Sequence, residues 1–374
     1  VNLCMAGGVA HNCSAVGKIL ETGLFKEIYV QPAAHDPGTA LGAAIIVARQ
    51  KGNAKVTGNL NHVYLGPDLD SADIIEEKLE KWNPYLSFEK KDNITKATAE
   101  LIHDGQVIGW VQGRSEFGPR ALGNRSILAD PRPFENKRII NEMVKKRESY
   151  RPFAPSILQE HLEEYIELPT EQRSFPFMNF VLRVKEEQQD KLQAITHVDG
   201  TARVQTVAKS DNPKYWELIN EFGKLSGFYI LLNTSFNNNA EPIVDSVEDA
   251  IVCYLTTDIN YLVIDDYLIS KKEVDDSVLL DAMICLKPYT HLCSERMQLC
   301  TGDLKTEHYL SLNFERKSKF KLSKTMYEIL NESDGKATVN ELLERVNVTG
   351  VDKSVLVKEL KDIWSDRFIG VSYE

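Results

Sequence analysis

Hydrophobic and polar positions change rhythm every few residues through the first 270 residues, and that rhythm predicts alternating strands and helices. Asn2-Leu-Cys-Met5 reads as a short buried strand that stops at Gly7-Gly8. A helix is expected from about 12 to 20, a second strand over 27–31, and a small-residue helix over 40–49, after the turn residues Asp36, Pro37 and Gly38. This strand–helix–strand–helix order implies an α/β layer. Residues 51–66 are rich in Gly, Asn and short polar residues and read as a linker. Helices are expected over 71–82, 93–104 and 246–255, and strands over 106–111, 178–184, 227–232 and 260–265.

Beyond about 271 the texture changes. Residues 320–374 carry three short helical patterns and a terminal strand over 367–373. Thr338-Val-Asn-Glu341 is a capping box ahead of an apolar run, and the expected helix 353–365 completes a winged-helix outline.

Bulk properties narrow the function classes. The 374 residues suggest two or three domains. The formal charge of −11 disfavours nucleic acid, so an anion site must be a local basic pocket in an acidic protein. No apolar run reaches 18 residues and no secretory leader is visible, so neither a membrane span nor export is expected. The six cysteines, Cys4, Cys13, Cys253, Cys285, Cys293 and Cys300, form no CxxC pair, which points to a reducing cytoplasm. Val1 opens directly into a strand-like run, so the chain is expected to lack its true amino terminus.

Four segments carry candidate chemistry. In Gln112–Asp130, Arg114, Arg120 and Arg125 alternate with Gly113, Gly118 and Gly123. Glycine lets backbone N–H groups approach a ligand, and arginine grips phosphate or carboxylate with a planar fork. The loop is either an oxyanion cradle or a set of surface salt bridges. Lys145, Lys146, Arg147 and Arg151 form a second basic run, a solvated helix face unless Pro152 and Pro155 hold Arg151 and Ser156 rigid.

In Thr196–Gln205, a strand would set Asp199, Thr201, Arg203 and Gln205 on one face, facing water or lining a polar pocket, with His197 at its start. In Leu231–Asn237 an apolar strand ends in Asn233, Thr234 and Ser235, followed by Asn237. Strand ends are where α/β proteins place ligand groups, though these residues also favour turns. Gly7-Gly8 would permit close approach of a nucleotide, and Asp36 either caps a helix or ligates a metal.

Together the segments AGGVAHNC (6–13), QPAAHDPGTALGAA (31–44), GRSEFGPRALGNRSILADPR (113–132), RPFAPS (151–156), HVDGTARVQTV (197–207) and LNTSFNNNAEPIV (232–244) resemble the O-carbamoyltransferase family of nodulation and antibiotic-tailoring enzymes. The resemblance runs over about residues 1–270. It implies an α/β protein with a carboxyl-terminal remnant of an actin/sugar-kinase-like ATPase domain (1–60), a linker (61–90) and a domain resembling threonylcarbamoyl-adenylate synthase, YrdC-like (91–270). The first domain would transfer a carbamoyl group to a hydroxyl of a natural-product acceptor. The second would make carbamoyl adenylate from ATP and carbamoyl phosphate.

Carried over, Arg120, Lys145 and Arg203 would bind carbamoyl phosphate and the adenylate, with Asn233 and Ser235 completing the pocket. Arg114, Arg125, Arg147, Arg151, Ser156, His197, Asp199, Thr201, Thr234 and Asn237 are the further candidate substrate contacts. Gly7, Gly8 and Asn12 match a nucleotide-contacting loop, and Asp36 matches a metal-ligating aspartate. The family's other metal ligands are two histidines spaced HxxxH, and no two of the eight histidines here are four apart. A divalent metal, magnesium or iron, is therefore expected only if a missing half, or a separate subunit, supplies the rest.

The tail, 271–374, resembles small PqqD-like winged-helix domains that bind peptides at a sheet edge. A degenerate scaffold that binds peptide through this tail is the rival reading, so the acceptor could be a small molecule or a peptide. The mixed charges of 353–365 do not make a DNA-recognition helix.

Overall fold

A computed structural model describes residues 1–52, 60–239, 241–298, 304–313, 315–347, 350 and 352–373. Residues 53–59 of the expected linker, Ala240 and Cys300 lie outside the described residues. The chain groups into two compact units, Val1–Ile75 with Phe88–Ser270, and Glu76–Ser87 with Lys271–Glu374.

The first unit begins with β1 (Asn2–Met5), α1 (Cys13–Glu21), β2 (Glu27–Val30) and α2 (Pro37–Gln50). β1 and β2 pair in parallel. Asn12 starts α1 by accepting from the Ala15 N–H at 3.0 Å. After α3 (Ala72–Lys81) come β3 (Leu86–Lys90), α4 (Ile94–His103), β4 (Ile108–Val111), β5 (Arg125–Ala129), α5 (Phe134–Ile139) and β6 (Ala154–Leu158). The unit continues with α6 (Leu162–Tyr165), β7 (Phe180–Arg183), α7 (Glu186–Gln189), β8 (Thr201–Val207), α8 (Pro213–Ser226), β9 (Ile230–Ser235), α9 (Val247–Leu255), β10 (Tyr261–Ile264) and β11 (Tyr267–Lys271).

These strands make one nine-stranded mixed sheet in the order β3-β11-β10-β4-β5-β9-β6-β8-β7. Only β10–β4 and β6–β8 pair in parallel among the registers described. The α/β expectation holds in that broad form. Central strands β4, β5 and β6 are buried at every position, so none alternates between exposed and buried residues. A core of Ile102, Trp110, Leu128, Tyr215, Phe222 and Leu231 fills the space between the sheet and helices α4 and α8.

The amino-terminal segment is fastened to the last strand of that sheet. An added Cβ at Gly17 in α1 would lie 2.1 Å from the Val181 carbonyl oxygen in β7, so only glycine permits the approach. The Gln172 side chain bonds both the N–H (3.0 Å) and the carbonyl (3.3 Å) of Ile28, and Asn179 Nδ2 donates to the Val30 carbonyl at 3.1 Å.

The second unit holds β12 (Met283–Leu286), the antiparallel meander β13 (Thr290–Gln298), β14 (Leu304–Leu312) and β15 (Glu315–Leu322), then α10 (Lys324–Glu332), α11 (Val339–Arg345), α12 (Lys353–Ser365) and β16 (Ile369–Ser372). The Thr338–Glu341 capping box forms as expected. Trp82 stacks on Trp364 at 6.0 Å and meets Tyr373 edge-on, which ties 76–87 into this unit. The long meander was not legible in the sequence, because polar and charged residues dominate its faces. Among the described residues no helix is long and apolar enough to cross a membrane.

A candidate anion-binding site

The Gly-rich loop between β4 and β5 adopts left-handed backbone at Gly113 (φ 36°), Gly118 (φ 131°) and Gly123 (φ 113°). At Gly123 an added Cβ would lie 2.2 Å from the Tyr215 ring. Two of the loop's three arginines, expected as substrate contacts, donate to backbone carbonyls. Arg125 is fully buried and donates to the carbonyls of Gln112 (2.7 Å), Gly113 (3.1 Å), Asn124 (2.9 Å) and Asp245 (3.1 Å). Arg114 donates to Gly66 and Leu65, both at 2.8 Å. A buried turn with many carbonyls needs donors, and a guanidinium offers five.

Arg120 differs. Its Nε is buried without a hydrogen-bond partner, and so is Nε of Arg203 on β8. Burial first, and then the Arg120 charge, hold the Arg203 pKa below its usual value. Arg147 acts on Arg203 in the same direction. Two neighbouring guanidiniums of like charge, each with a buried Nε that lacks a partner, define a place that suits an anion.

Arg147 links this pair to Lys145. A π-helical turn over Ile140–Val144 follows α5 and delivers Lys145 at its end. Lys146 beside it has φ 45°, a strained value for a non-glycine residue. The Lys145 ammonium is 2.6 Å from the Ser235 carbonyl oxygen, 3.2 Å from Ser235 Oγ, and 2.8 and 2.6 Å from the carbonyl and Oδ1 of Asn237. Burial pulls its pKa down to about 7, while this cage of oxygens favours the ammonium. Arg147 donates to Asn141 Oδ1 at 2.7 Å and lies over Phe153. Arg151 is exposed and paired with Glu148 at 2.8 Å.

The Thr196–Gln205 expectation is corrected at its start: β8 begins at Thr201, and His197 and Asp199 sit in the preceding turn. The Thr201 hydroxyl donates to Asp199 Oδ1 at 2.6 Å, so its oxygen accepts from His197 Nδ1 at 3.0 Å. That network assigns the ring proton to Nδ1 and leaves Nε2 as a buried lone pair without a partner. Burial pushes the His197 pKa down to about 4, so the ring is neutral near pH 7.

Ser156 and Asn233 sit behind the loop. Ser156 Oγ donates to Gln205 Oε1 (2.6 Å), Asn233 Nδ2 donates to Ser156 Oγ and Gln205 Oε1 (each 3.0 Å), and Gln205 Nε2 holds the Leu122 carbonyl (2.8 Å). This buried network fixes the loop's base, and Asn233 Oδ1 remains without a partner. Thr234, next on β9, is half-buried.

From the amino-terminal segment, the Cys13 thiol lies against the Arg203 guanidinium, and His11 feels the Arg120 charge. His11 Nε2 is 2.8 Å from His35 Nδ1. The sequence reading missed Cys13, His11 and His35 as neighbours of the arginines, although all three lie inside the motifs quoted. Gly7 (φ 97°) and Gly8 have open space where a Cβ would stand, and Asn12 is occupied as a helix cap. Asp36 is exposed and its side chain makes no cap hydrogen bond. Among the described residues no three His, Cys, Asp or Glu side chains gather to hold a metal ion.

Two family models match the chain: carbamoyltransferase C-terminus over residues 99–271 and carbamoyltransferase N-terminus over residues 1–45. The chain is 47% identical over 98% of its length to nodulation protein NolNO of Sinorhizobium fredii, covering 54% of that protein. It is 49% identical over 98% of its length to nodulation protein NolO of Bradyrhizobium diazoefficiens, covering 67% of it. A 3'-hydroxymethylcephem-O-carbamoyltransferase of Amycolatopsis lactamdurans is 35% identical over 71% of the chain, covering 48% of that enzyme. The chain thus spans about half to two thirds of the length of these relatives.

Proposed function

Since this chain belongs to the O-carbamoyltransferase family, we propose that it performs the carbamoyl-adenylate-forming half of an ATP- and carbamoyl-phosphate-dependent O-carbamoyl transfer. The observation that carries this reading is the pair Arg120 and Arg203, in each of which the buried Nε lacks a hydrogen-bond partner.

Atom balance sets the steps. Water cleaves the bond between the carbonyl carbon and the bridging oxygen of carbamoyl phosphate, giving carbamate and inorganic phosphate. A carbamate oxygen then attacks the α-phosphorus of ATP. The bond from that phosphorus to the bridging oxygen breaks, and pyrophosphate leaves with the electron pair. An acceptor hydroxyl finally takes the carbamoyl group, releasing AMP and a proton.

Both phosphoryl departures put negative charge on oxygens, which preorganised guanidiniums stabilise without reorganising. Arg120, Arg203 and Arg147 have that role in our reading. Lys145 holds the Ser235–Asn237 turn against them. The Ser156–Asn233–Gln205 network keeps the glycine loop in place beneath. The acceptor belongs to the natural-product class. In this reading the final transfer draws on metal ligands supplied by the rest of the enzyme, since no three His, Cys, Asp or Glu side chains gather among the described residues.

Isotope exchange between pyrophosphate and ATP, dependent on carbamoyl phosphate, tests the proposal. Exchange that vanishes in Arg203→Ala supports it. Exchange that persists in Arg203→Ala, or that ignores carbamoyl phosphate, overturns it.

A further inference from the structure

The adenylation steps leave the buried lone pair on His197 Nε2 unused. Its neighbours fix it as an acceptor. The Asp199 carboxylate takes both the Thr201 N–H at 3.1 Å and the Thr201 hydroxyl proton at 2.6 Å. The Thr201 hydroxyl oxygen is left to accept, and His197 Nδ1 donates to it at 3.0 Å. Backbone bonds close the same turn: the His197 N–H meets the Thr201 carbonyl at 2.8 Å, and the Gly200 N–H meets the His197 carbonyl at 3.0 Å. The ring is thus anchored at Nδ1, and Nε2 has no donor facing it. A buried acceptor left unpaired costs stability, and a ligand that brings the donor removes that cost.

Strand β8 carries that acceptor to the anion pocket. Thr201, Arg203 and Gln205 are alternate residues of β8 and share one of its faces. At one end of this row the Thr201 hydroxyl oxygen holds the His197 ring. At the other end Gln205 Nε2 holds the Leu122 carbonyl at 2.8 Å, in the glycine loop just past Arg120. Arg203 stands between them, its Nε buried without a partner. Neighbours on one strand face stand about 7 Å apart. A ligand of a few atoms can therefore set its anionic end on Arg203 and point its other end at the imidazole.

Donor count chooses the ligand. Phosphate oxygens accept, so they belong with the guanidiniums, whereas the Nε2 lone pair needs an N–H or O–H. At neutral pH the donor on carbamoyl phosphate is its amino group, separated from phosphorus by one oxygen and one carbon. We infer that His197 Nε2 accepts an N–H of carbamoyl phosphate and thereby selects a carbamoyl group over an acyl group, with Thr201 and Asp199 as positioning residues. The inference rests on the adenylate-forming reading and adds to it the residue that recognises the transferred group. Acetyl phosphate would fill the same space with a methyl group and leave the lone pair unpaired, the condition under which a polar site discriminates most strongly.

Calorimetry on the 374-residue chain with carbamoyl phosphate, acetyl phosphate and ATP, each alone, tests it. His197→Asn keeps an N–H for Thr201 where Nδ1 stands and removes the acceptor at Nε2. The parent should bind carbamoyl phosphate about tenfold tighter than acetyl phosphate, the size of one hydrogen bond whose loss leaves a buried group unpaired. In His197→Asn that preference should shrink to about twofold or less, with acetyl phosphate and ATP bound as in the parent. His197→Gln, whose amide oxygen reaches the Nε2 position, should regain part of the preference. No preference in the parent, or an unchanged preference in His197→Asn, overturns the inference alone. So does a loss confined to ATP. An equal loss for both acyl phosphates overturns it as well, since the histidine would then be structural. If the parent binds no carbamoyl phosphate, the adenylate-forming reading fails, and this inference with it.

Discussion

Lys145 and Asn237 are locked together: the ammonium donates to both the Asn237 carbonyl oxygen at 2.8 Å and its Oδ1 at 2.6 Å. With the Ser235 carbonyl at 2.6 Å, the three N–H bonds of Lys145 are all used. The lysine therefore fixes the turn after β9 and supplies its charge to the pocket from a set position.

Lys145→Met should lower carbamoyl-phosphate-dependent exchange by about 100-fold, the size seen when one preorganised donor is lost. Arg at this position should not restore it, because a planar fork cannot satisfy oxygens that converge on a point charge. Exchange rates across the parent and both variants check this, and full activity in Lys145→Arg would refute the positioning role.

Arg203→Met should separate activity from stability. Removing one of two mutually repelling guanidiniums should leave the melting temperature unchanged or raise it by about 2 °C. Exchange should nonetheless fall by about 100-fold or more. Scanning calorimetry and the exchange assay on the same preparation read both effects.

His197 predicts a pH dependence. Its folded pKa, about 4, lies below the ordinary 6.5 because burial disfavours the charged ring. The unfolded chain therefore binds the proton first as pH falls. The stability contributed by the neutral ring is complete above about pH 6.5 and is lost progressively down to about pH 4, roughly 3 kcal/mol at most. Urea denaturation at pH 7 and pH 5 should show the loss in the parent, and a smaller loss in His197→Asn.

Gly17→Ala should destabilise by about 3 kcal/mol, since backbone rather than a mobile side chain blocks the new methyl group. The same change should reduce exchange, because α1 carries Cys13 to Arg203. Gly8→Ala, with open space around it, serves as the control and should melt like the parent.

The sequence was most informative where local rules decide the outcome. The helix over 94–103, the Thr338–Glu341 capping box and the apolar strands β4 and β10 follow from periodicity and caps. Motif order identified the family, and Arg120, Lys145 and Arg203 lie along one basic cluster. What remained hidden was tertiary. No local pattern separates Arg120, whose buried Nε has no partner, from Arg125, which donates to four carbonyls five residues later. Strand periodicity extended β8 back to Asp199, but the Asp199–Thr201 turn starts the strand later. His11 and His35 share no spacing rule, and only the pairing of β1 with β2 brings them together.

The docking of α1 against β7 also bears on solubility. β7 is the terminal strand of a nine-stranded sheet, a place where chains commonly join edge to edge into aggregates. Here α1 lies on that backbone, closed down at Gly17, and screens it from a stranger's strand. Whatever loosens this helix therefore does two things at once: it withdraws Cys13 from Arg203, and it uncovers a sticky rim through which copies of the protein can polymerise.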